Sequence, residues 1–199
     1  MFKDRFDASQ QLAQKLIQYK NNPGTVILVK TRGAFAIGAV ISEQLHIPID
    51  IFLSKRIGYP GNPDYTIGMV TLDDIIIDKR ALEFSGEMQN YLKNEVAQIR
   101  HGLRLRADQY YKDHQHYLLQ DKTIIIVDEG IATGKTMEVI IDLIKKKNPK
   151  KIIVAVPVAS KEALHVVRKK VDEIICLQIP DIFMNVSQWY QNYDVTDEL

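Results

Sequence analysis

Two adjacent carboxylates, Asp128 and Glu129, precede a run of small residues and offer the clearest opportunity for chemistry in this chain. They follow the apolar, β-branched run Thr123–Val127, which is typical of a buried strand. The loop Gly130–Gly134 then leads into a predicted helix. Small residues let backbone N–H groups approach a phosphate closely, and a helix N-terminus favours an anion. The segment therefore predicts a phosphate site at the carboxyl end of a strand.

The nearest competing motif is the P-loop of nucleoside-triphosphate-binding proteins. It requires a glycine, four further residues, and then Gly-Lys followed by Ser or Thr. Gly134-Lys135-Thr136 supplies the second half, but Glu129 stands where the first glycine should be and Gly130 is one residue too close. Two carboxylates would also repel a triphosphate. They suit the 2′- and 3′-hydroxyls of a ribose whose 5′-phosphate enters the loop; the alternative is a solvated turn.

Basic residues follow two other predicted strands. Arg32 lies beside Gly33 shortly after the first of them, and a guanidinium can bind diphosphate oxygens in a bidentate manner. Lys55 and Arg56 open the polar loop 55–64, whose glycines and prolines suggest a mobile lid that excludes water. The alternative is that Arg32, Lys55 and Arg56 are solvated surface residues without a ligand.

The elements that must position these residues alternate between strand and helix along most of the chain. The predicted strands are 25–29, 49–53, 65–71, 75–78, 123–127, 151–156 and 174–178, and the predicted helices are 7–19, 34–45, 83–111, 133–146 and 160–170. This alternation predicts an α/β fold with a mainly parallel central sheet flanked by helices. We expect one domain over 1–199, with an inserted helical segment at about 83–120 and a C-terminal hood or tail at 176–199.

Composition narrows the classes of partner. The formal net charge is +1, so charge suggests neither a nucleic-acid partner nor a membrane-surface role. The apolar runs are strand-sized, no signal peptide is visible, and Cys176 is the single cysteine. The expectation is a cytoplasmic protein. The histidines lack the spacing of a structural zinc site.

The run VDEGIATGKT resembles the signature of the type I phosphoribosyltransferases, which use 5-phosphoribosyl 1-diphosphate. Further segments resemble one branch of that family, usually described only as predicted phosphoribosyltransferases. These segments are FKDRFDASQQLAQKL, KRIGYPGNPDYTIGMV, RHGLRLRADQYY, VAVPVAS and CLQIPDIFMNVSQWYQNYDVTDEL. The likeness covers nearly the whole chain, and it does not name the acceptor substrate.

The resemblance implies a role for each matching residue. Asp128 and Glu129 would hold the ribose hydroxyls. The 5-phosphate would meet Ala132, Thr133, Gly134 and Thr136, with Gly130 and Lys135 completing the loop. The diphosphate would meet Lys30, Thr31, Arg32, Gly33, Lys55 and Arg56. Asp128, Glu129, Arg32 and Lys55 are the predicted catalytic residues.

The cofactor implied by the resemblance is Mg²⁺, held mainly by substrate oxygens and water. We expect no protein side chain to bind this ion directly, with Asp128 and Glu129 as the only candidates if one does. Aromatic residues in the tail, Phe183 and Tyr190, are candidates for contact with the acceptor, because a small hood recognises it in family members. Packing of the tail onto the core is the alternative.

The predicted reaction is transfer of a 5-phosphoribosyl group to a nitrogenous acceptor, with release of diphosphate. Several residues depart from the family pattern: Glu129 stands where aspartate is usual, Lys135 replaces a small residue, and Thr31 and Ala34 stand where the close branch has proline and glycine. One alternative is therefore a non-catalytic regulatory protein that binds phosphoribosyl diphosphate or a nucleotide. A hydrolase acting on a phosphoribosyl compound is another. A homodimer is possible, because it is common in the family.

Overall fold

The computed structural model describes residues 1–30, 32–78 and 86–194. Within these ranges the chain forms two compact units. The first contains Met1–Phe52 and the chain from Tyr117 onward, and the second contains Leu53–His116. The second unit begins at Leu53, whereas the sequence analysis placed the start of an inserted segment near residue 83.

The first unit is built from a five-stranded parallel sheet and four helices. Its strands are β1 (Thr25–Val29), β2 (Ile49–Ile51), β6 (Thr123–Val127), β7 (Lys151–Val158) and β8 (Glu173–Gln178), and its helices are α1 (Arg5–Lys15), α2 (Arg32–Leu45), α4 (Lys135–Lys145) and α5 (Lys161–Arg168). The strand order is β2-β1-β6-β7-β8, and every neighbouring pair is parallel. The predicted parallel sheet flanked by helices is confirmed.

The strand order reverses direction between β1 and β6. From β1 the chain moves outward to β2, whereas from β6 it moves the other way through β7 to β8. Right-handed crossovers then place α2 on one face of the sheet and α4 and α5 on the other. Ligands of open α/β sheets bind in the crevice at such a switch point, beyond the carboxyl ends of the strands. The loops after β1 and β6 therefore lie where a ligand site is expected.

The apolar side chains of the central strands make the core. All five residues of β1 are buried, as are four of β6 and seven of β7. Each isoleucine of Ile124–Ile126 is at most 4% exposed, and burying such a side chain contributes about 2 kcal/mol. This core fixes the carboxyl end of β6 rigidly, and with it the first residue of the candidate site.

Helix α1 packs against α2 and contacts β7 and β8. Its N-cap is Asp4, whose side chain accepts a hydrogen bond from the backbone N–H of Asp7. The sequence analysis began this helix at Asp7, so the predicted start is two residues late. The consequence matters for the site, because Arg5 becomes the first residue of the helix and not part of a preceding loop.

The second unit contains a three-stranded antiparallel sheet, β3 (Ser54–Tyr59), β4 (Asn62–Thr71) and β5 (Ile75–Ile77), and the helix α3 (Gly86–Tyr110). The prediction of a polar loop over 55–64 is wrong, because these residues form the β3–β4 hairpin. The glycines and prolines of 55–64 lie in the tight turn of this hairpin and near Gly58, where the pairing of β3 with β4 changes register. Helix α3 was predicted from residue 83, and residues 83–85 lie outside the described part.

No helix among the described residues is both long enough and apolar enough to cross a membrane.

Candidate functional site

Asp128 is the first residue after β6 and is half-buried at the switch point of the sheet. Its Oδ1 accepts a hydrogen bond from the backbone N–H of Glu129 at 2.8 Å. Burial, together with the neighbouring Glu129 charge, raises the pKa of the Asp128 carboxyl to about 6, although that hydrogen bond and Lys30 act in the opposite direction. A carboxylate in this environment gains from hydroxyl donors, because they replace the water it has lost.

Glu129 follows, and its carboxylate is paired with Arg5. The guanidinium Nε and Nη2 both lie 2.7 Å from the same carboxylate oxygen, Oε1. The pair is well shielded, with 14% of the Arg5 side chain and 9% of the Glu129 side chain exposed. Arg5 thus brings the start of α1 to the acidic end of β6, and the pair has no net charge.

Two tyrosines from the segment 187–194 complete the surroundings of Glu129. The Tyr190 hydroxyl donates a hydrogen bond of 2.6 Å to the Glu129 backbone carbonyl. Burial raises the pKa of Tyr193, and the adjacent Glu129 charge raises it further, because Tyr193 interacts with the carboxylate directly. Arg5 lies 4.5 Å from the centre of the Tyr193 ring and donates to the Asp194 carbonyl. Glu129 is therefore held by both its side chain and its backbone.

The first segment of the chain is paired with 187–194. The backbone N–H of Phe2 donates to the Trp189 carbonyl at 2.7 Å, and the Phe2 carbonyl accepts from the N–H of Gln191 at 2.9 Å. The rings of Phe2 and Tyr190 are in contact and buried. These contacts hold Arg5 and the two tyrosines around Glu129 as one assembly.

Gly33 lies in the first turn of α2 and approaches the Glu129 carboxylate closely. A Cβ atom at this position would lie 2.1 Å from both Cδ and Oε2 of Glu129. Real side chains do not tolerate such a distance, so the Glu129 carboxylate occupies the space that any other residue at 33 would need. The loops after β1 and β6 therefore meet at this point.

The loop Gly130–Gly134 leads from the acids into α4. The N–H of Ile131 donates to the Val158 carbonyl at 3.0 Å, and the Ile131 carbonyl accepts from the Ser160 N–H at 3.0 Å, which fixes the loop against β7. Gly134 has a positive φ of 77° and is the N-cap of α4 without a side-chain capping bond. The N–H groups of a helix N-terminus without a side-chain cap are available to an anion.

Comparison with known proteins identifies the family of the chain. The phosphoribosyl transferase domain matches residues 2–193 of the chain. The chain belongs to the phosphoribosyl transferase domain family. A solved structure of TT1426 from Thermus thermophilus is similar, with 30% identity, a TM-score of 0.79, and coverage of 98% of this chain and 92% of that one.

A curated relative from Mycobacterium tuberculosis is similar over the full chain. It carries the name "Putative phosphoribosyl transferase Rv0571c" in strain H37Rv and an equivalent name in strain CDC 1551. The identity is 26% over 204 residues, covering 100% of this chain and 45% of the relative. The chain thus spans about half the length of the curated relatives it matches.

The phosphate-loop residues predicted from the family signature lie together in the structure. Ala132, Thr133, Lys135 and Thr136 are exposed around the buried Gly134, and Gly130 is half-buried. Lys30, at the end of β1, is close enough to Asp128 to lower its pKa. Arg32 is exposed at the first position of α2, and Thr31 lies outside the described residues. The roles of all these residues remain predictions.

Lys55 and Arg56 are exposed on β3 of the second unit. Lys55 lines a groove of that unit together with Glu95 and Arg106 from α3. Their predicted contact with diphosphate therefore depends on a strand, and not on a lid loop as the sequence analysis expected. That contact stays a prediction.

The two candidate acceptor residues differ in exposure. Phe183 is half-buried, whereas Tyr190 is 5% exposed and its hydroxyl is engaged with Glu129. A role for either in acceptor binding stays a prediction, and in this conformation Tyr190 offers no ring face for stacking. Sequence reasoning overlooked Arg5 and Tyr193. Neither has a local signal, because each meets Glu129 only through the fold.

Within the described ranges, no three His, Cys, Asp or Glu side chains come together in a group that could hold a metal ion. Asp128 offers a hard carboxylate oxygen of the kind Mg²⁺ accepts. Glu129 is less suitable, because the guanidinium of Arg5 already lies against one of its oxygens. These residues fit an ion that would be held mainly by substrate and water, with Asp128 as the carboxylate more suited to contact it.

Proposed function

We propose that this chain transfers a 5-phosphoribosyl group from 5-phosphoribosyl 1-diphosphate to a nitrogenous acceptor and releases diphosphate. The observation that carries the proposal is the sequence of features after β6. A half-buried carboxylate is followed by a small-residue loop, which opens an α-helix through a glycine with positive φ. A ribose hydroxyl pair and a 5-phosphate fit these two features in that order.

The first proposed step is binding of the sugar. Asp128 accepts hydrogen bonds from the ribose hydroxyls, and Glu129 contributes from a fixed position beside it. The 5-phosphate lies at the N-terminus of α4, where backbone N–H groups and the hydroxyls of Thr133 and Thr136 donate to it. This arrangement orients C1 of the ribose toward the loop after β1.

The second proposed step is departure of diphosphate. The C1–O bond breaks, positive charge develops on the ribose, and the acceptor nitrogen forms the new bond to C1 and then loses its proton to solvent. Lys30 and Arg32 would stabilise the leaving diphosphate. Mg²⁺, when bound, would neutralise a further part of the diphosphate charge. Orientation and charge stabilisation suffice, and no covalent nucleophile is required.

The test measures release of diphosphate. The protein is incubated with Mg²⁺, 5-phosphoribosyl 1-diphosphate and a panel of purine, pyrimidine and amine acceptors, singly and in pools. Release that depends on an acceptor is the expected result. Tight binding without release across the panel would instead identify a regulatory binding protein, and release without any acceptor would identify a hydrolase.

A variant with Asp128→Asn is the internal control for the site. It keeps the size of the side chain and removes the charge that we assign to the ribose. We expect it to weaken binding of 5-phosphoribosyl 1-diphosphate, measured by calorimetry. Unchanged affinity in this variant would refute the assignment of the ribose site even if diphosphate release were observed.

A further inference from the structure

We propose that Arg5 is a positioning residue of the phosphoribosyl site, which holds the Glu129 carboxylate in one orientation through contacts between α1, Gly33 and Tyr193. The inference rests on the proposed function and goes beyond it, because it assigns a role to a residue more than a hundred positions away from the signature segment.

The first support is the geometry of the pair. The guanidinium Nε donates a hydrogen bond of 2.7 Å to Oε1 of Glu129, and Nη2 lies 2.7 Å from the same oxygen, so two nitrogens hold one carboxylate oxygen. Charge-assisted bonds of this kind are about twice as strong as neutral ones. The exposed fractions of both side chains are small, so water does not screen the pair strongly.

The second support is the close packing around the Glu129 carboxylate. The Glu129 carboxylate lies so close to Gly33 that a single added carbon would overlap it. On another side it meets Tyr193, and its own backbone carbonyl is bonded to Tyr190. A carboxylate enclosed in this way has one favourable orientation as long as Arg5 holds it.

The third support concerns the longer side chain at this position. Glutamate has one more rotatable bond than aspartate, so its carboxylate has more conformations to lose when it binds a ligand. An ion pair formed before the ligand arrives removes that freedom in advance. Arg5 would thus let a glutamate position the ribose as firmly as a shorter acid.

The neutral pair also affects Asp128. An unpaired Glu129 carboxylate would place a second negative charge beside the first, at a site meant to receive a molecule with phosphate groups. Arg5 cancels that charge locally. We therefore expect its removal to weaken binding of the anionic substrate even when Glu129 itself is unchanged.

The experiment combines four variants: Arg5→Gln, Arg5→Lys, Glu129→Gln, and the double variant Arg5→Gln with Glu129→Gln. Lys15→Gln is the matched control, because it removes one positive charge from an exposed position of the same helix. For each protein the Kd for 5-phosphoribosyl 1-diphosphate, KM and kcat are measured. Circular dichroism and the fluorescence of Trp189, the single tryptophan, report whether the fold and the segment 187–194 are intact.

We expect Arg5→Gln to raise Kd and KM by about 10- to 100-fold, the loss of affinity that follows when a hydrogen bond between the ligand and a charged group is weakened. Arg5→Lys should bind more tightly than Arg5→Gln, since lysine restores the positive charge but not the two nitrogens of the guanidinium. The double variant should bind no worse than Glu129→Gln alone. The Lys15→Gln control should bind like the unmodified chain.

Two outcomes would overturn the inference while leaving the proposed function standing. One is unchanged Kd and KM in Arg5→Gln when the unmodified chain binds the substrate. The other is an additive loss in the double variant, which would mean that Arg5 does not act through Glu129. If Arg5→Gln fails to fold, the same decision rests on Arg5→Lys, whose affinity must fall below that of the unmodified chain. Absence of binding by the unmodified chain would overturn the proposed function and this inference together.

Discussion

The raised pKa of Asp128 predicts that this residue weakens the fold at neutral pH. Its pKa is about 6 in the folded chain against 3.8 for an ordinary aspartate, so the folded state binds an extra proton between those values. The unfavourable contribution is therefore absent below about pH 4, grows as the pH rises from there to about 6, and is fully present at higher pH. At 1.36 kcal/mol per pKa unit, the full effect is about 3 kcal/mol, which solvent screening will reduce.

The perturbation is Asp128→Asn, which preserves shape and still accepts the hydrogen bond from the Glu129 N–H. We expect the difference in unfolding free energy between this variant and the unmodified chain to grow in favour of the variant, by about 3 kcal/mol at most, between about pH 4 and about pH 8. Urea denaturation in the presence of a chelator, without substrate, measures it at each pH. The more stable variant should bind substrate less well, because functional carboxylates are often held at a cost to stability.

A difference that does not change with pH would refute this reasoning, since it would show that the effect comes from packing and not from the charge. Asp181→Asn is the matched control. Asp181 is exposed, and its hydrogen bond from Lys161 lowers its pKa. Its substitution should therefore give a slight change with the opposite dependence on pH.

Three further changes test the packing around the site and the opposite end of the sheet. Gly33→Ala should lower the unfolding free energy by about 1–3 kcal/mol, because the added carbon overlaps Glu129. Gly102→Ala is the control: a Cβ there meets nothing within 4 Å, so the substitution on α3 should raise the unfolding free energy by about 0.5–1 kcal/mol. Similar changes for the two variants in thermal unfolding would contradict the close approach of Gly33 to Glu129. Tyr190→Phe should cost about 1 kcal/mol, by loss of the hydrogen bond to the Glu129 carbonyl, and an unchanged melting temperature would argue against that bond. Glu173→Gln breaks the ion pair with the lysine that begins β7, and should cost up to about 1 kcal/mol at neutral pH. Because that ion pair lowers the Glu173 pKa, the cost should disappear once acid protonates Glu173 in the folded chain, and a cost that persists in acid denaturation curves would contradict it.

The central sheet could be predicted from the sequence because its signals are local. Thr25–Val29 and Thr123–Val127 are short apolar β-branched runs, and the structure gives both strands the predicted bounds. The acids and the small-residue loop follow the second run directly, so their place at the carboxyl end of a strand followed from the chain order alone. The start of the helix predicted at 160–170 was equally local, because Ser160 is its N-cap and the Ser160 side chain accepts a hydrogen bond from the Ala163 N–H.

The remaining features depend on contacts that no local pattern reveals. Glycine and proline in 55–64 indicated a loop, yet an irregular antiparallel register accommodates them in a hairpin. Arg5 and Glu129 are 124 positions apart, and only the packing of α1 on the sheet brings them together. The predicted start of α1 was two residues late, because Asp4 is the N-cap and its side chain accepts a hydrogen bond from the Asp7 N–H.

The pairing of Phe2 with the segment 187–194 affects when the surroundings of Glu129 can form during synthesis and folding. A ribosome produces the acidic loop well before it produces Tyr190 and Tyr193, and Arg5 alone cannot complete the enclosure of Glu129. Contacts of such long sequence separation also form late in folding, since the loops they close are large. A nascent chain that ended at Gln178 would possess every strand of the parallel sheet and still leave the Glu129 carboxylate without the contacts of Tyr190 and Tyr193.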